Sequence, residues 1–144
     1  MAAFGTVFTN EMILSRFENN SWSQPAIVPT ESISLHPGAH VLHYASTCFE
    51  GMKAFRHADD SVHIFRMEKN VARLQQSSEL LALPNIDAAA LSQMIIDIVR
   101  RYAADVPTPP GSMYIRPTHI GTEASIGKAA APSLESMLYV LLSP

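Results

Sequence analysis

The run from Asp87 to Tyr102 constrains the fold of this chain more than any other stretch. Leu91, Met94, Ile95, Ile98, Val99 and Tyr102 recur at helical spacing and line one face of an amphipathic helix. A stripe of that length is stable only when a second layer covers it. Asp87 stands where an N-cap is needed. A preceding helix is predicted from about Met67 to Ala82, because Val71, Leu74, Ser78 and Leu81 keep the same period and Pro84 stops it.

Strand signals surround the helical pair. Met52–Arg56 and Val62–Arg66 flank the polar turn Asp59-Asp60-Ser61 and read as a hairpin. Residues Ser112 to Ile120 and Leu134 to Leu142 read as two further strands, with Pro117 placing the first at an edge or making it irregular. Pro107, Pro109, Pro110 and Gly111 form a breaker-rich loop, and Gly121 to Pro132 is a loop by composition. Residues 1–33 show no period beyond a short Ala26-Ile27-Val28 run and are expected to form an N-terminal arm of low local order. The predicted fold class is α+β, an antiparallel sheet with helices packed on one face, formed by a domain spanning residues 34–144.

A chain of 144 residues is sized for one domain. Charged residues make up 16% of it, below the roughly 25% usual for soluble domains, which points to surface covered by another domain or subunit. The formal charge of -3 and the scattered basic residues give no footprint for nucleic acid or an anionic membrane. No apolar run reaches membrane-spanning length, and the N-terminus lacks a secretory pattern. A single cysteine, Cys48, excludes an internal disulfide framework and suits the cytoplasm.

The segment from His36 to Arg56, HPGAHVLHYASTCFEGMKAFR, has polar atoms throughout a nearly uncharged apolar run, interrupted by Glu50 and Gly51. Buried polar atoms require partners, so the segment reads either as an ordinary strand and turn or as the lining of a site. Tyr114 and Arg116 lie two apart on a predicted strand and therefore share a face, where a phenol beside a guanidinium receives a carboxylate. Arg73 offers a planar fork suited to a phosphate, or is a solvated helix-face arginine. His40 and His43 have no acidic or thiol partner at ligand spacing, so packing rather than metal binding is expected.

The segments HPGAHVLHY and CFEGMKAFR, followed in order by VHIFR, NVARL and YIRP, resemble branched-chain amino acid aminotransferases, fold-type IV enzymes dependent on pyridoxal phosphate. The resemblance runs from about Ser34 onward and corresponds to the small N-terminal domain of that family. It implies that Arg73 holds the cofactor phosphate. Tyr114 would contact the substrate α-carboxylate, and Arg116 the second carboxylate of glutamate. Phe49 would wall the pocket for the branched side chain. Gly51 would admit substrate or cofactor close to the backbone. Tyr44 would reach the neighbouring subunit's pocket in a homodimer. Substrates would be leucine, isoleucine, valine, glutamate and their 2-oxoacids.

Two departures from the family stand out: Ala45 where many relatives have glycine, and Lys128 where an apolar residue is common. Lys53, Lys69 and Lys128 are the only lysines. None stands where the family puts the lysine that carries the cofactor, which belongs to a larger C-terminal domain, so this chain alone is expected to be inactive. The same architecture serves D-amino acid aminotransferases and aminodeoxychorismate lyases, and a non-catalytic binding or assembly domain is the third reading.

Overall fold

The structure is a computed structural model describing residues 5–144. Its sheet is built from eight strands: β1 (Glu11–Glu18), β2 (Ser21–Trp22), β3 (Ala26–Pro29), β4 (Thr47–Phe49), β5 (Met52–Arg56), β6 (Val62–Ile64), β7 (Met113–Gly121) and β8 (Ser136–Ser143). The order is β2-β1-β8-β7-β5-β6, with β3 also pairing β1 and β4 also pairing β7, and every pairing is antiparallel.

The two long helices, α2 (Met67–Leu80) and α3 (Ala88–Arg101), lie on one sheet face as the sequence predicts. Asp87 caps α3 by accepting the Ala90 N–H at 2.8 Å. Leu91, Ile95 and Ile98 are fully buried against Ile13, Met113, Ile115, Val140 and Leu142 of the sheet, each burial contributing about 1.5–3 kcal/mol before entropic costs. On the opposite face Met12, Leu14, Ile120 and Met137 make a second cluster, covered by Ile33, Leu35 and Val41.

Three expectations are corrected. The arm of low order is instead strand β1 with its partners β2 and β3, and β1 pairs directly with β8; residues 1–4 of that arm lie outside the described residues. β1 is covered on both faces, so Met12-Ile13-Leu14 is a continuous apolar run with no alternation to betray it. Second, His40–Tyr44 is a short helix, α1, rather than strand. Third, Pro117 is interior to the sheet. Its carbonyl accepts the Glu50 N–H at 3.0 Å, in the gap between the β4 and β5 pairings of β7. The position a ladder donor would occupy therefore faces the corner 49–51, where the ladder is interrupted.

Candidate active site

Strand β4 ends at Phe49 and β5 begins at Met52, so Phe49, Glu50 and Gly51 form a corner over the middle of β7. Each corner residue meets one of the residues singled out in the sequence. The Arg116 guanidinium carbon lies 4.1 Å from the centre of the Phe49 ring, a cation–π contact. Arg116 Nε and Nη2 donate to the Tyr114 hydroxyl at 3.1 and 2.7 Å. A Cβ placed on Gly51 would collide with that hydroxyl and lie 2.9 Å from Tyr114 Cζ. Glycine is required there because the protein's own phenol crosses the backbone, not only for a ligand's approach.

Glu50 binds the third group. Its Oε1 accepts Arg73 Nε at 2.9 Å and its Oε2 accepts Arg73 Nη2 at 2.7 Å, a bidentate pair. Asn70 Nδ2 donates both to Glu50 Oε2 at 2.8 Å and to the Gly51 carbonyl at 3.1 Å. Burial pushes the Glu50 carboxyl up, but the hydrogen bonds from Arg73 and Asn70 outweigh it and hold the group below the usual carboxylate range. Bonding to Glu50 raises Arg73 in turn. Sequence reasoning had not given Glu50 or Asn70 a role. Their signals are an acidic residue alone in an uncharged run, and an amide on the Asn70, Leu74, Ser78 stripe that α2 buries.

The expected single pocket is two grooves on either side of the corner. Arg73 lines an open groove of about 490 Å³ with Phe65, Arg66, Lys69 and Asn70. Tyr114 and Arg116 line a second, of about 330 Å³, with Phe8 and Leu141. Phe49 is 56% exposed between them, a large apolar ring on an otherwise charged surface. The first groove suits a phosphate by its cations and the second a carboxylate by its guanidinium and phenol.

Tyr44 stands apart from both grooves. Its hydroxyl donates to the Ile126 carbonyl, and its ring packs on His40 and His43. Segment 36–46 clasps the loop after β7: Ser125 N–H bonds the Gly38 carbonyl at 3.0 Å, and His40 N–H bonds the Glu123 carbonyl at 2.9 Å. The buried His40 ring bridges Ser46 and the Ala131 carbonyl. Lys128 pairs with Glu123 inside this loop. Among the described residues no three His, Cys, Asp or Glu side chains form a metal cluster. No helix among them is long and apolar enough to cross a membrane.

No family model matches the chain. A branched-chain-amino-acid aminotransferase of Monosiga brevicollis is 42% identical over 143 residues, 98% of this chain and 36% of the relative. The cytosolic enzyme of Ovis aries is 41% identical over the same length, covering 37% of that protein. Over that shared third, this chain is similar to branched-chain-amino-acid aminotransferases. The likeness takes in β1 to β3 as well, so it begins well before Ser34. Relatives named cytosolic and mitochondrial both match. Among solved structures, a thermophile's branched-chain amino acid aminotransferase complexed with N-(5'-phosphopyridoxyl)-L-glutamate superposes on 90% of this chain with a TM-score of 0.69 and 26% identity. This chain covers 39% of that structure, and the shared architecture is the mixed sheet and helices of its N-terminal domain.

Proposed function

We propose that this chain is the ligand-gripping small domain of a pyridoxal-phosphate-dependent branched-chain aminotransferase. In this reading residues 34–144, together with the strands that precede them, meet a larger lysine-bearing domain. The observation that carries it is the corner 49–51, which gathers a phosphate-suited arginine and a carboxylate-suited Tyr–Arg pair on a chain about 40% identical to such enzymes. The donor set fits the cofactor, since Arg66, Lys69 and Arg73 line one groove and only the Glu50 carboxylate opposes them.

Pyridoxal phosphate supplies, when bound, the electron sink that lets an amino group move between carbon skeletons. The residues of this chain bind and orient. Arg73 holds the phosphate. Tyr114 receives the α-carboxylate, and Arg116, held flat on Phe49, receives the second carboxylate of glutamate. Phe49 offers leucine, isoleucine and valine an apolar wall, and Gly51 keeps Tyr114 in reach of Arg116. Tyr44, tied to the Ile126 loop, serves the pocket of a second subunit in a homodimer. The cytoplasm is the proposed compartment.

The test is 2-oxoacid formation from L-leucine and 2-oxoglutarate with added pyridoxal phosphate. The 144-residue chain alone is expected to show none, whereas a longer protein carrying this chain and a cofactor-bearing lysine turns over. Turnover by the short chain at an ordinary enzyme rate would overturn the division of roles. Preference of the longer protein for D-amino acids would move the assignment to another fold-type IV enzyme.

A further inference from the structure

The bidentate grip of Glu50 on Arg73 is unusual for a residue proposed to bind an anion, because a carboxylate beside the site repels what the arginine attracts. If only charge mattered, Glu50 would weaken the groove. Geometry gives a different account. The Arg73 side chain is 59% exposed, and an arginine so placed loses rotamer entropy whenever it is fixed by a ligand. Glu50 engages the Nε–Nη2 edge at 2.9 and 2.7 Å, which leaves Nη1 at the end of the guanidinium as the donor for an incoming oxygen. The carboxylate is itself fixed: its side chain is mostly buried, Asn70 donates to Oε2, and the Glu50 backbone N–H is bonded to Pro117 at the centre of the sheet. The restraint therefore runs from the rigid β7 strand through Glu50 to the exposed guanidinium.

We infer that Glu50 is a positioning residue for phosphate recognition, holding Arg73 so that its end-on edge is aimed before the ligand arrives. The inference rests on the assignment of Arg73 to the cofactor phosphate. It goes further by giving a role to a residue that touches no ligand.

Two measurements test it. In the 144-residue chain, the Arg73 Nε–Hε NMR signal is expected to be resolved and slow to exchange, and Glu50→Gln moves it into the bulk arginine envelope. In a full-length enzyme, affinities for pyridoxamine 5'-phosphate and for pyridoxamine give a ratio that isolates the phosphate. Glu50→Gln is expected to cut that ratio roughly tenfold, the order of one lost charge-assisted hydrogen bond, with pyridoxamine affinity unchanged. A ratio that stays the same or rises makes Glu50 only a competing charge and overturns the inference. An equal loss for both ligands signals general damage and overturns it as well. A ratio untouched by Arg73→Lys removes the phosphate assignment itself, a separate result that takes this inference with it.

Discussion

Acidification is expected to unfold this protein through one buried side chain. His119 on β7 is fully buried, with Nδ1 2.9 Å from Ser78 Oγ on α2 and Nε2 2.9 Å from Ser136 Oγ on β8. Ser78 in turn lies 3.4 Å from Cys48 Sγ. Each serine hydroxyl can donate or accept, so the network satisfies the imidazole in its neutral form. Burial lowers its pKa from 6.5 to about 4. Between those values the unfolded chain carries a proton that the folded chain refuses, so stability falls as pH falls through that window and is fully present above 6.5. At about 1.36 kcal/mol per pH unit the whole effect approaches roughly 3.4 kcal/mol. Roughly 2 kcal/mol of that is lost between about pH 7.5 and pH 5. Urea unfolding across this range measures it, and His119→Gln, which cannot titrate, should remove about that share of the pH dependence. An NMR titration of the folded wild type checks the same point without a variant. An imidazole that titrates at its ordinary value, or a variant whose stability falls with acid as steeply as the wild type, would refute the argument.

Gly51→Ala should displace the Tyr114 phenol from the Arg116 fork, because the new Cβ needs the space the ring now occupies. A cost of about 1–3 kcal/mol in thermal unfolding is expected, with weaker carboxylate binding in a full-length enzyme. Ala45 closes α1 in the left-handed region at φ 52, which is where glycine is at ease. Ala45→Gly is therefore expected to leave stability unchanged or raise it by up to about 1 kcal/mol, read from urea midpoints. Asp87→Ala removes the acceptor for the Ala90 N–H and should cost about 1 kcal/mol, visible as a lower midpoint in calorimetry.

Local periodicity was enough to place α2, α3 with its Asp87 cap, the β5–β6 hairpin and the shared face of Tyr114 and Arg116. Each follows from the repeat of the backbone, about 3.6 residues in a helix and about 2 in a strand, which neighbouring residues enforce without help from the rest of the chain. The misplaced pieces have a common cause. Strand β1 shows no alternation because both its faces are covered, and Pro117 is tolerated mid-sheet because β7 changes partners beside it. The site itself was visible as residue types but not as an arrangement. Arg73 meets Glu50 across 23 residues of chain, and Gly51 meets Tyr114 only once β5 pairs with β7. Those contacts depend on how distant segments close on one another. Only the folded sheet, by bringing the 49–51 corner over β7 and beneath α2, decides that there are two grooves rather than one and that a carboxylate aims the arginine between them.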